Sequence, residues 1–302
     1  MKQYELTVEE DFENERIDRY ICDALADFSR SYIQKLIDNG DVTANGKSVK
    51  SSYKVKPSDK ITVITPDSVI PDIKPENIPL DILYEDTDVL VVNKPKGMVV
   101  HPAPGHYEHT LVNAVMYHCG NSLSGINGVL RPGIVHRIDK DTTGSLIICK
   151  NDVAHESIAG QLKDHSIKRE YLAIVTGVID NNEGVIDKPI KRSEQNRMKM
   201  AVSPCGKRAV THYEVLKRSD KFTLIKCRLE TGRTHQIRVH MASEGHPVAG
   251  DELYGNGIKT PVNTFGQALH AATLGFIHPR SGEYIELVAP APDYFNSFIN
   301  FF

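Results

Sequence analysis

The sequence predicts a globular chain of mixed helix and strand, built in two parts. Three observations carry this. Ile17, Tyr20, Ile21 and Leu25 recur at helical spacing near the N-terminus. Later stretches such as residues 89–93 and 145–149 are short, apolar and largely β-branched, the pattern of buried strands. Between them, residues 68–80 hold Pro71, Pro75 and Pro79, a density that makes an extended, semi-rigid linker. The expected domains are therefore 1–73, a linker at 74–80, and 81–302.

The totals narrow the function classes. The chain has 302 residues, 40% of them apolar and 25% charged, which suits a soluble globular protein. Its net charge of -3 gives no global sign of a nucleic-acid partner, so any such sign has to be local. Five cysteines, far apart and without a C-x-x-C pair, argue against a disulfide framework and against zinc. The first fifteen residues are acidic without an apolar core, unlike a signal peptide, and no apolar run approaches a membrane span. A cytoplasmic protein with no membrane partner is expected.

In the first part, Ser29 or Ser31 is placed to cap a second helix carrying Ile33, Leu36 and Ile37, with Gly40 just past its end. Val42, Asn45-Gly46 and Lys47 read as a hairpin, and residues 61–64 as a closing strand. Residues 30–60 carry seven basic side chains (Arg30, Lys35, Lys47, Lys50, Lys54, Lys56, Lys60) against three acidic ones (Asp38, Asp41, Asp59). That excess fits phosphate contact or an ordinary solvated face.

The second part opens with strands at 82–84 and 89–93 and a turn at Lys94-Pro95-Lys96-Gly97. His101, His106 and His109 follow in a Pro/Gly-rich loop without regular acidic or thiol spacing, so no metal is expected. A helix at 111–118 and a Gly/Ser/Asn loop at 121–127 come next. Ile134-Val135 ends an apolar run, a polar block closes at Gly144, and 145–149 is a strand. Asp139 thus lies on a loop held between ordered segments, where reactive groups tend to sit, although a solvated Asp in a polar turn has the same spacing. Asn151 or Asp152 caps a helix to about Asp164, and 169–175 is a strand. Residues 188–208 hold seven basic side chains (Lys188, Lys191, Arg192, Arg197, Lys199, Lys207, Arg208) and one acidic, Glu194: a surface hairpin or an RNA-backbone contact. Strands at 211–216 and 222–229 pair by alternation, Thr234 caps a helix ending near Gly245, and 285–290 is a last strand. His235 and His240, five apart, suit hydrogen-bonded packing better than metal ligation.

Several of these blocks carry a resemblance. His136-Arg137-Ile138-Asp139, followed by Thr143-Gly144, resembles the signature of the RluA-type pseudouridine synthases, with Ile138 where the family carries Leu. Asn93-Lys94-Pro95 with Gly97, His101 and Pro102, then Lys168-Arg169-x-Tyr171, then Thr231-Gly232-Arg233-x-His235-Gln236-Ile237-Arg238, follow in the family's order. In the first part, Arg16-Ile17-Asp18, Ser29-Arg30-Ser31 and Asn45-Gly46-Lys47 resemble the S-four RNA-binding module.

The resemblance implies an α+β fold, with a mixed and mostly antiparallel sheet flanked by helices, behind a small α+β RNA-binding module. It implies Asp139 as the catalytic residue, Arg238 as its partner and Tyr171 in the active site. Arg137 and His136 then hold the substrate, and Arg30, Lys35, Lys47, Lys191, Arg192 and Lys199 meet RNA. The layout is most similar to the RluD type, which acts on large-subunit ribosomal RNA. Transfer RNA is the alternative target, and a non-catalytic ribosome-assembly factor the alternative role. A glycosidase-like pair of Asp139 and Asp141 is a third reading, with both on one loop. Moving a glycosidic bond from uracil nitrogen 1 to carbon 5 involves no redox change, so no cofactor and no metal are expected, and a monomer suffices.

Overall fold

Residues 2–25, 28–65, 73–102, 106–120, 122–126, 132–255 and 257–302 are described by a computed structural model. The chain divides into two compact units, Met1–Ile70 and Pro71–Phe302. Pro71, Asn121 and Asn127, named in the expected linker and loop, lie outside the described residues.

The first unit contains β1 (Lys2–Thr7), α1 (Ile17–Ala24), α2 (Arg30–Asp38), β2 (Val42–Ala44), β3 (Lys47–Ser48) and β4 (Lys60–Thr65). Its sheet runs β1-β4-β2-β3, all antiparallel. Ser29 caps α2, its hydroxyl accepting from the Tyr32 N–H at 3.3 Å. Asn45 and Gly46 both have positive φ (52° and 74°), as a two-residue hairpin with the right twist requires. Ile17, Ile21, Ile33, Leu36, Val42 and Val63 fill one core. Within it Asp18 is sealed from solvent and receives Arg16 Nε (3.0 Å), Arg30 Nε (3.0 Å) and Gln34 Nε2 (2.7 Å). Burial alone would raise its pKa, but the bonds from Arg16, Gln34 and Arg30 outweigh burial and hold it at about 2.

The second unit contains β5 (Ile82–Glu85), β6 (Val89–Lys94), α3 (Leu111–Cys119), β7 (Thr143–Cys149), α4 (Asp152–Lys163), β8 (Lys168–Thr176), β9 (Glu183–Asp187), β10 (Ile190–Arg192), β11 (Met200–Val202), β12 (Val210–Arg218), β13 (Phe222–Leu229), α5 (Gln236–Ser243), β14 (Leu269–Ile277), β15 (Tyr284–Val288) and α6 (Asp293–Ile299). The main sheet runs β5-β6-β7-β14-β8-β13-β12-β9, with β15 also paired to β14. Among the described residues only the β7–β14 pairing is parallel, so the sheet is mixed and mostly antiparallel. Strand alternation sends Leu90 and Val92 to one face, with Leu111, Val115, Ile237 and Met241. Val89 and Val91 go to the other, with Ala154 and Ile158 of α4. Both faces are covered, which is why β6 and β7 read as continuous apolar runs.

Two expectations change here. Ile73, counted with the first domain, is buried in the second unit's core. Residues 74–80 carry no helix or strand, yet they are bonded to α3 rather than free. Asn113 Nδ2 donates to the Lys74 carbonyl (2.8 Å), and the Glu76 N–H to the Asn113 carbonyl (2.9 Å). Among the described residues no helix is long and apolar enough to cross a membrane.

Candidate active site

The loop before β7 is clamped from behind. The Asp139 carbonyl accepts from the Thr142 N–H at 3.1 Å, closing a turn. The Lys140 carbonyl accepts from the Gly97 N–H (3.1 Å) and from Lys94 Nζ (2.9 Å). Lys94, 1% exposed at the end of β6, also donates to the Pro95 carbonyl (2.7 Å) and the Met98 carbonyl (2.9 Å). Burial pulls its pKa down to about 7, with Asp141 and Asp139 opposing. One amine therefore ties the 94–97 turn to the Asp139 loop. At the loop's end Gly144 has φ +109°, and a Cβ there would lie 2.2 Å from the Ala271 carbonyl oxygen of β14. Only glycine lets the two parallel strands close up at that point.

Arg238 reaches this loop from α5. Its Nη1 donates to Asp139 Oδ2 at 2.8 Å, across 99 residues of sequence. Its Nε and Nη2 donate to Asp251 Oδ2 (2.6 Å) and Oδ1 (2.9 Å), a bidentate fork that fixes the guanidinium plane. Asp251 is sealed from solvent, and its Oδ1 also accepts from the Leu253 and Tyr254 N–H groups (2.9 and 3.1 Å). Burial lowers the Arg238 pKa, but the Asp251 bonds and the charges of Asp251 and Asp139 more than offset it. One guanidinium thus sits between two carboxylates, Asp251 to orient it and Asp139 to be oriented by it.

The start of α5 differs from the sequence expectation. Thr234 does not cap it: His235 occupies the cap position with a left-handed φ of 56°, and no side chain caps the helix. Instead the Gln236 carboxamide, just inside the helix, accepts from Thr231 Oγ1 (2.7 Å) and the Arg233 N–H (3.0 Å). The strained His235 backbone turns its ring into the site. Its Nε2 faces Asp139 Oδ1 at 3.9 Å, and its Nδ1 lies 2.9 Å from the Tyr254 hydroxyl. Burial lowers the His235 pKa, Asp139 opposing. His235 is therefore part of the site as well as a packing group. His240 is as expected: buried, between Thr211 Oγ1 and the Lys188 carbonyl at 2.9 Å each.

Asp139, 17% exposed at the side chain, lies where several clefts meet. A small one is lined by Ile138, Tyr171, Leu229 and Leu269. A second, of about 750 Å³, is lined by His101, His106, Arg192, Arg197, Met198 and Gln267. A third, of about 560 Å³, extends past Tyr171 to Arg169 and Arg233. Arg137 is exposed and borders all three. Tyr171 is 8% exposed; burial raises its pKa, so the phenol stays protonated at neutral pH. His136 accepts from the Ile147 N–H of β7 (3.3 Å), and burial, then the nearby Arg169, push its pKa down to about 3. Asp141 borders the second cleft, as Asp139 does.

The predicted RNA contacts are distributed over both units. In the first unit Lys35 and Lys47 are exposed, whereas Arg30 is half committed to Asp18. In the second, β10 and β11 form a separate two-stranded hairpin. Lys191 pairs with Glu194 at 2.6 Å, Arg192 is exposed, and Lys199 Nζ sits 5.8 Å from the Tyr254 ring centroid. The Tyr254 hydroxyl also accepts from the Met200 N–H (2.8 Å), which ties the hairpin to His235. Of the three early histidines, His109 pairs with Glu76 (2.7 Å) while His101 and His106 line the second cleft. Among the described residues one trio has metal-ligand geometry, Asp86, Asp88 and His278. Arg280 already donates two 2.7 Å bonds to Asp88, and His278 donates to Asp86, so protein groups occupy those carboxylates.

Asp251, Tyr254 and Lys94 have no role that the sequence alone assigns. Asp251 and Tyr254 stand three apart in the sequence, but nothing local says that the carboxylate returns to Arg238.

Known proteins resemble this chain over most of its length. The RNA pseudouridylate synthase family matches residues 88–243, and the S4 domain matches residues 15–61. A Bacillus subtilis protein named as the uncharacterized RNA pseudouridine synthase YlyB is 53% identical over 97% of this chain and 96% of its own. A ribosomal large subunit pseudouridine synthase D of Zymomonas mobilis is 48% identical over 97% and 95%. Among solved structures, human RNA pseudouridylate synthase domain containing 1 superposes with a TM-score of 0.58 at 26% identity, over 72% of this chain and 85% of that one.

Proposed function

From the premise that this chain belongs to the RNA pseudouridylate synthase family, we propose that it isomerises specific uridines of large-subunit ribosomal RNA. RNA is its partner, a reading that the S4 domain match and the synthase relatives support. The choice of ribosomal RNA over transfer RNA is supported by relatives named as large-subunit synthases, similar over nearly their whole length. The protein acts as a cytoplasmic monomer without metal.

The observation that carries the catalytic reading is the Asp139–Arg238 pair, 2.8 Å apart at the meeting of the clefts. In the proposed reaction the carbon–nitrogen bond between ribose and uracil nitrogen 1 breaks. A carbon–carbon bond to base carbon 5 forms, and carbon 5 gives up a proton while nitrogen 1 gains one. Asp139 is the carboxylate that starts this sequence, with Arg238 holding Oδ2 and leaving Oδ1, 3.9 Å from His235 Nε2, to meet the substrate. A protonated Tyr171 suits stacking on the flipped base better than removing the carbon 5 proton. Flipping takes the uridine out of its stack, and the exposed Arg137 beside the site fills the gap. His136 fixes the loop to β7 as a neutral ring.

The test is to map pseudouridines in ribosomal and transfer RNA from cells with and without the gene. Loss of one or more large-subunit sites is expected. Identical maps would contradict the proposal, and loss confined to transfer RNA would move the target.

A further inference from the structure

The cleft of about 560 Å³ beside Asp139 contains a buried charge that the reaction scheme does not use. Arg169 projects from β8 on the same face as Tyr171, two residues on, and is 8% exposed. Its Nε has no hydrogen-bond partner, and among the described residues no carboxylate pairs with it. A buried guanidinium without a counter-charge is costly to the free protein, so residues of this kind are normally paired.

The surroundings are built for it. A Cβ on Gly232 would lie 2.9 Å from Arg169 Nη1, so a larger residue there would displace the guanidinium. Arg137, Lys163 and Arg233 line the same cleft. Its one lining carboxylate, Asp139, is already held by Arg238. The cleft is therefore strongly cationic, and it opens directly onto the residue proposed to meet the target ribose.

We propose that Arg169, with Lys163 and Arg233, binds a phosphate of the RNA backbone next to the flipped uridine. The phosphate supplies the counter-charge that the protein lacks. This deepens the RNA reading above and rests on it for the identity of the anion's carrier. Binding energy stored in an unpaired guanidinium is then released only when substrate is seated, which ties backbone recognition to the reacting end of the nucleotide.

The test uses the full-length protein, wild type, Arg169→Met, Arg169→Gln and Arg169→Lys. Thermal melts are run with and without inorganic phosphate, and binding to unmodified large-subunit ribosomal RNA is measured across a salt series. Without phosphate, Arg169→Met melts at or above the wild-type temperature. Phosphate raises the wild-type and Arg169→Lys melting temperatures and leaves Arg169→Met and Arg169→Gln unmoved. RNA affinity of Arg169→Met falls about tenfold, and its salt slope drops by about 0.7–0.9, both restored by Lys.

Equal slopes and equal phosphate responses in wild type and Arg169→Met would overturn the proposal. So would a lower melting temperature of both Arg169→Met and Arg169→Gln without phosphate, because the guanidinium would then serve the fold. The phosphate melts involve no RNA. If they behave as expected while pseudouridine maps are unchanged by gene loss, the anion site stands and the ribosomal reading falls.

Discussion

Replacing Arg238 by Met separates what this residue does for the fold from what it does for Asp139. The side chain is 6% exposed, and it neutralises Asp251, which is fully sealed, and Asp139, which is not. Arg238→Met leaves Asp251 charged and buried, with only the Leu253 and Tyr254 N–H groups for partners. Breaking such a pair costs about 3–5 kcal/mol, a fall in Tm on the order of 10 °C for a unit of this size. Adding Asp251→Asn removes the stranded charge. The Asn carbonyl oxygen still accepts from Leu253 and Tyr254, so most of the loss should return, to within about 1 kcal/mol of wild type. Activity should not return in the double variant, because Asp139 still lacks the donor that holds Oδ2. Calorimetry of the three proteins measures the first effect, and release of tritium from base carbon 5 under single turnover measures the second. A single variant as stable as wild type would refute the buried-charge argument. A double variant with wild-type turnover would show that Arg238 does not act through Asp139.

The hairpin and the first unit give two more expectations. Replacing Arg192, Arg197 and Lys199 together by Ala should flatten the salt dependence of RNA binding, by about 0.7–0.9 for each phosphate no longer neutralised; an unchanged slope would make the hairpin a solvated surface. Asp18 has its pKa depressed to about 2 in the folded protein. Its contribution, about 2 kcal/mol, is complete above the unfolded value near 4 and lost as pH falls through 2. Amide protection factors in α1 and α2, taken relative to the intrinsic exchange rate at each pH, should fall over that window in wild type, and Asp18→Asn should remove the dependence.

Local patterns in the sequence carry the first unit well, because its signals are local. Ser29, the Asn45-Gly46 turn and Gly40 act on neighbouring residues. β1 escapes because its only apolar residues, Tyr4 and Leu6, are half-buried on an edge strand. In the second unit the strands with continuous apolar runs are legible, whereas β14 does not read as a strand. It has a histidine and a glycine among its residues, and it owes its central place to long-range pairing with β7, β8 and β15. The start of α5 misleads because Thr234 matches a capping rule, while the observed cap is a left-handed His235 supported by Gln236. The site follows the same division. Asp139, Tyr171 and Arg238 can be named from motif blocks. The supports that position them, Lys94 under the loop and Asp251 behind the arginine, depend on chain returning from 46 and 13 residues away. No local rule announces such contacts.

In the proposed function the Asp139 carboxylate performs the isomerisation. Asp139→Asn keeps the side chain's shape and an acceptor for Arg238 but removes the charge. With saturating enzyme and the identified RNA labelled at uridine carbon 5, tritium release under single turnover should be abolished while RNA binding stays at wild-type strength or tightens. Release by Asp139→Asn near the wild-type rate would contradict the account.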